Sequence, residues 1–205
     1  MAFSQFENIE QVIKKYPLKI QHRKFLPAVE KPLPSSFIED IQFLLEMKSV
    51  EENESFFTES FIFPFLREAW KHHRQLKLWS HRLLRYDDEL CGEPDYFLAA
   101  LPTDEVISQL VNKPILAVIE AKKENFTQGW GQCLAAMIAC QKINAKPEIT
   151  IYGIVSTGLM WEFSKLAGNL LVKDSVSYFI NVPNQIFGIL DLIFAECEKQ
   201  LYEQP

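Results

Sequence analysis

The chain has 205 residues, 48% of them hydrophobic and 13% aromatic, which is enough for one sizeable core within a single domain. Residues 1–10 ("MAFSQFENIE") lack the basic start and apolar stretch of a secretory signal, and the longest apolar segment, "QIFGILDLIFAEC", is short and interrupted by Asp191. A soluble cytoplasmic protein without a membrane span is expected, and the net charge of −6 argues against a uniformly basic nucleic-acid binder.

In chain order, "FENIEQVIKKY" predicts a short helix. Pro17, Pro27, Pro32 and Pro34 then mark an extended connector that wraps the core. "SSFIEDIQFLLEMKSV" opens on serine caps and spaces Phe37, Ile41, Leu44 and Leu45 as a helix does. A longer helix is expected over 58–77, with Thr58 as cap and Pro64 near its first turn or at a kink. "SHRLLRY" predicts a strand that runs into the acidic turn "DDELCG". Two strands follow at 95–101 and 114–122.

"NFTQGWGQCLAAMIACQKIN" places Trp130, Cys133, Leu134, Met137, Ile138 and Gln141 at helical spacing behind Asn125 or Thr127 as cap. "EITIYGIV" and "LMWEFSKL" flank "STG" as strand, turn and strand, and an amphipathic helix on Ile186, Leu190, Ile193, Phe194 and Cys197 closes the chain. Helices and strands interleave, so the class is α/β or α+β, a central mixed β-sheet flanked by helices. Cys91, Cys133, Cys140 and Cys197 have no CxxC pairing and are expected as reduced thiols in or near the core.

Charge is unevenly distributed. Residues 11–24 hold five Lys/Arg and no acid, and residues 67–85 hold six against Glu68 alone. Each segment is therefore +5, and the remainder, 10 basic against 26 acidic residues, is −16. Local field rather than total charge decides where phosphate approaches, so a positive face containing Lys71, Arg74, Lys77 and Arg82 is compatible with an acidic chain, as is an ordinary solvated helix face.

The two strands at 95–101 and 114–122 carry the chemistry. "ILAVI" is apolar without a break, the mark of a strand covered on both sides, yet Glu120 and Lys122 follow at its end. Alternation turns both toward one face and Ala121 toward the other. Such charges are costly to desolvate unless something needs them. Asp95 lies 25 residues earlier, room for a strand, a connection and the return strand, so the two carboxylates can meet at one end of the sheet. Gly92 permits a turn and Pro94 fixes the backbone before Asp95. Converging carboxylates with the Ala121 carbonyl make a hard oxygen site suited to Mg2+ or Mn2+. Lys122 beside it could orient a water or steady charge on a phosphoryl group.

"PDY" at Pro94, followed by "EAK" at Glu120 closing an apolar strand, resembles the signature of the PD-(D/E)XK nuclease superfamily, the restriction-endonuclease-like fold. The resemblance implies a core of helix, three-strand meander, helix and strand over residues 56–166, with an N-terminal arm at 1–55 and a C-terminal strand and helix at 167–205. It also implies a metal-dependent endonuclease acting on DNA, with RNA as second choice, and a homodimer is among the expectations because many members pair to cut two strands.

By the same resemblance Glu59, with Glu68 as fallback, is the first-helix glutamate that helps hold metal. Gln132, with Gln128 second, is the glutamine directed at the site or the nucleic acid. The alternative is a non-catalytic nucleic-acid- or protein-binding module that keeps the fold. His22, His72, His73 and His81 show no ligand spacing and read as surface residues or part of the basic face. Trp130 reads as helix packing more readily than as a base-stacking platform.

Overall fold

In a computed structural model, which describes residues 3–49, 51–102 and 111–202, the chain is mixed α/β. A 3-10 turn at Phe3–Gln5 precedes helix α1 (Ile9–Lys15), whose cap is Asn8, accepting from the Gln11 N–H. The proline-rich connector contributes a strand that its sequence does not predict, β1 (Lys19–His22). Helix α2 (Ser35–Met47) starts behind Pro34 without a side-chain cap, so the expected serine caps are themselves helical.

The helix expected over 58–77 differs at both ends. It opens earlier, at α3 (Glu54–Phe57), where Asn53 rather than Thr58 caps. It then passes through a π-helical turn (Thr58–Ile62) into α4 (Phe63–Trp70), where Pro64 sits in the first turn. It stops at Trp70, because Leu76–Ser80 ("LKLWS") forms strand β2. Within "SHRLLRY", Ser80 closes β2, and the rest supplies only β3 (Leu84–Arg85), paired with β4 (Cys91–Gly92) in a small separate hairpin.

Strands β5 (Tyr96–Ala100) and β6 (Ile115–Ala121) lie where expected, followed by α5 (Phe126–Asn144), capped by Asn125. Next come β7 (Ile151–Ser156), β8 (Met160–Ala167), β9 (Leu170–Lys173), β10 (Tyr178–Phe179) and α6 (Pro183–Tyr202). The eight-stranded sheet runs β1-β9-β8-β7-β6-β5-β2, with β10 on β8. β2, β5 and β6 are an antiparallel meander, and α5 crosses over to place β7 parallel to β6. From Glu54 to Ser156 the chain thus runs helix, antiparallel strands with the β3–β4 hairpin between them, helix and strand.

β6 is buried throughout because α5 covers one face of the sheet while α4 and α6 lie on the other. One apolar cluster extends from Phe3 to Cys197 and binds the N-terminal arm to the core. Three of the four cysteines are buried in it and Cys91 is half-buried, all as free thiols, as expected. Among the described residues no helix is long and apolar enough to cross a membrane.

The arm is fitted closely. A Cβ on Gly131 of α5 would lie 2.5 Å from the Phe6 carbonyl oxygen and 2.6 Å from the Asn8 nitrogen, both backbone atoms that cannot swing aside. Gly131→Ala is therefore expected to lower stability by about 2 kcal/mol, the usual cost of overpacking, read as a reduced urea midpoint.

Candidate active site

The β5/β6 register decides the site. Tyr96 pairs with Ile119, so Asp95, one residue earlier, stands opposite Glu120, one residue later, on the same face. Asp95 is fixed from two sides. Its Oδ2 accepts the Ala121 N–H at 2.7 Å, and its carbonyl accepts the His81 N–H at 3.1 Å. In an antiparallel strand a residue's N–H and C=O share a side, so the Ala121 carbonyl also faces the Asp95 edge.

Glu120 is 5% exposed and stands directly across the strand pair from Asp95. Burial first, then the Asp95 charge, push it well above the ordinary carboxylate range, and Lys122 opposes them only in part. The Lys122 Nζ lies 3.6 Å from Glu120 Oε2. Its stem is pinned by α5, where a Cβ on Gly129 would come within 3.0 Å of Lys122 Cγ. The site is not sealed, since Asp95 keeps 21% of its side chain exposed and Lys122 14%.

His81 is at the surface, as the sequence leads one to expect, with 59% of its side chain exposed, and it also lies beside Asp95. Its backbone has φ 48°, a left-handed conformation uncommon for a residue with a Cβ. The ring is held between Ser80 Oγ, 2.8 Å from Nδ1, and Asp95 Oδ1, 3.6 Å from Nε2. Lone histidines before an arginine carry no such signal in sequence. What would have revealed it is β2, since Ser80 pairs with Tyr96 and delivers the next residue to Asp95. Glu54 was also missed, and its Oε2 accepts the Lys123 N–H at 3.1 Å, tying α3 to the end of β6.

Other expected residues are placed less centrally. Glu59, in the π-helical turn, is exposed and lines a groove with α2. Its charge is felt by Tyr96, whose pKa is raised to about 12, first by burial, then by Asp95 and Glu59. Tyr96, stacked on Phe63, is therefore within electrostatic reach of both Asp95 and Glu59. Glu68 is buried and bonded to Lys71 at 2.6 Å. Gln132 is 9% exposed on α5, and Gln128 is half-buried beside Asn125 in its first turn.

The basic segment divides. β2 runs from Leu76, opposite Ala100, to Ser80, opposite Tyr96, which leaves Lys71 and Arg74 at the end of the sheet away from Asp95. Lys77 and Arg82 do reach the site's face, each 5.5 Å from the Trp79 ring. The adjacent histidines also part. His72 is at the surface, whereas His73 is buried, with Nδ1 3.0 Å from Glu198 and Nε2 3.2 Å from Asp191. Trp130 is packing, as expected, 2% exposed and donating to Glu162 at 2.6 Å.

Among the described residues no group of three or more His, Cys, Asp or Glu side chains is arranged to hold a metal ion. The fit for Mg2+ rests on fewer protein ligands, because that ion is usually held by one or two carboxylates with water and substrate phosphate completing its shell. Asp95 and Glu120, opposite each other at the strand ends, are two such carboxyl groups. Comparison of the sequence with protein-family models and with curated proteins returned no match.

Glu120 also sets a pH dependence. Its ordinary pKa in the unfolded chain lies below its folded one, so both states are protonated at low pH and no cost arises there. As pH rises the unfolded chain loses the proton first, and stability declines through the window above about pH 4.5. Glu120→Gln removes that decline. The variant should melt higher than wild type at pH 8 and alike at about pH 4, measured by thermal denaturation.

Proposed function

We propose that this chain is a divalent-metal-dependent phosphodiesterase of the PD-(D/E)XK type that cuts nucleic acid, DNA ahead of RNA. The observation that carries the reading is the register that sets Asp95 opposite Glu120 at the end of a buried strand, with Asp95 bonded to the Ala121 N–H and the Lys122 amine 3.6 Å from Glu120. A buried pair of like acids with an amine beside it is a poor structural device, and such groups cluster where chemistry needs them.

Asp95, Glu120 and the Ala121 carbonyl would hold Mg2+ or Mn2+, whose contribution when bound is to polarise a phosphate and lower the pKa of a water. The chain's own groups do the rest. The Ala121 N–H holds Asp95 Oδ2, and His81 steadies Oδ1, so the carboxylate keeps one orientation. Lys122, its stem packed beside Gly129 and its amine next to Glu120, would present positive charge to an attacking water or a phosphoryl oxygen. Lys77 and Arg82, on the same face, supply backbone phosphate contacts that give affinity without sequence discrimination.

One observation favours a second reading, a binding module that keeps the fold without cutting. Lys71 and Arg74 fall at the far end of the sheet, so the basic segment does not form one track beside Asp95.

Plasmid and oligonucleotide substrates incubated with Mg2+ or Mn2+ separate the two. Wild type should cleave, EDTA should stop it, and Lys122→Ala and Glu120→Ala should each slow cleavage by about 100-fold or more. Cleavage at wild-type rate in both variants removes this site. Absence of Mg2+ or Mn2+ binding at about millimolar concentration, by calorimetry, leaves the binding-module reading in its place.

A further inference from the structure

Beside α2, on the side of the π-helical turn, lies a groove of about 320 Å³. Phe37, Ile41 and Leu44 give it an apolar wall, and Asp40 and Glu59 stand in its lining. Phe43, also in the lining, and Met47, one turn further along α2, are 59% and 64% exposed. Two large apolar side chains this exposed beside a groove mark a surface built to be covered.

Charge decides what covers it. Residues 35–60 carry seven acids, Glu39, Asp40, Glu46, Glu51, Glu52, Glu54 and Glu59, against Lys48 alone. None of the seven is buried, and of them Asp40 and Glu59 line the groove, Glu39 and Glu46 share α2 with Asp40, and Glu54 is bonded to the Lys123 N–H. Arg67, the cation in the lining, leans over the Phe63 ring at 6.0 Å. A second copy docked by two-fold symmetry would bring this acidic patch against itself. Nucleic acid would meet the same repulsion from its phosphates.

We propose that the α2 groove binds an amphipathic helix of a partner protein, one whose apolar face fills the groove and whose flanks carry Lys or Arg. Phe43 and Met47 would close over the bound helix, and the acids around them would set its orientation and speed its arrival. The inference is independent of whether Asp95 and Glu120 cut phosphodiesters, because no residue of that pair takes part.

The test is fluorescence anisotropy on the full chain with a labelled amphipathic Leu/Lys helix peptide and its Leu/Glu counterpart. The Leu/Lys peptide should bind saturably at one site and the Leu/Glu peptide should not. Phe43→Ser with Met47→Ser, which changes no charge and touches only exposed side chains, should weaken binding about tenfold with an unchanged melting temperature. Asp40→Lys should weaken it about fivefold at low salt and less at high salt. Leu/Lys binding that survives the double serine variant at full strength overturns the proposal, as does no binding at all. A concentration-dependent dimer that the double serine variant abolishes also overturns it, and assigns the groove to a second copy.

Discussion

The hydrogen bond from the Ala121 N–H to Asp95 Oδ2, 2.7 Å long, fixes how the ends of β5 and β6 meet. It holds in place a pairing that side-chain energetics alone would disfavour, because like charges directly opposite across two strands repel. The register slips between Leu98 and Ala99, yet it is regular from Leu98 back to Tyr96, the part that leads to Asp95. The rest of the site follows from that constraint. Glu120 is driven toward its protonated form, Lys122 is drawn to it, and the His81 backbone adopts an uncommon conformation to reach the same aspartate. Structure of this kind favours a function over stability, since replacing such groups by neutral ones commonly strengthens a fold.

Legibility followed burial. β5, β6 and α5 were readable because each is covered on both faces or along most of its length, and few structures besides a buried strand or a packed helix produce an unbroken apolar run or a capped helical period. β1 and β2 lie at the two edges of the sheet, where one side of the backbone lacks a neighbouring strand and the sequence need not be apolar. Leu76–Ser80 alternates too briefly to be told from the end of a helix, so the helical period before it reads straight across it. The carboxylate pair was visible as misplaced charge in apolar strands. His81 was not, because its position depends on the undetected β2. Glu59 was placed by analogy alone, and the π-helical turn that directs it toward the α2 groove has no sequence signature of its own.

The acidic total conceals a divided surface. Asp40 and Glu59 line the α2 groove, while Lys77, Arg82 and Lys122 lie on the face that carries Asp95. One molecule can thus present regions of opposite sign to different partners, each steering its own ligand over roughly a Debye length of about 8 Å at physiological salt. The acidic turn at 87–93 belongs to neither region. Asp87 caps the backbone of Glu89 and Leu90, Asp88 pairs with Arg85, and Glu89 bonds Lys15 and Tyr16, so its charges serve the hairpin and the arm.

The contact between Gly129 and the Lys122 stem has a kinetic meaning. A free lysine on a surface samples many rotamers and must be ordered each time it meets an anion, at up to about 2 kcal/mol. With its Cγ close against the α5 backbone at Gly129 and its amine 3.6 Å from Glu120, this side chain has given up part of that freedom during folding. Its amine therefore has fewer rotamers left to lose, and whatever it contacts gains from an entropy loss incurred partly when the chain folded rather than at every encounter.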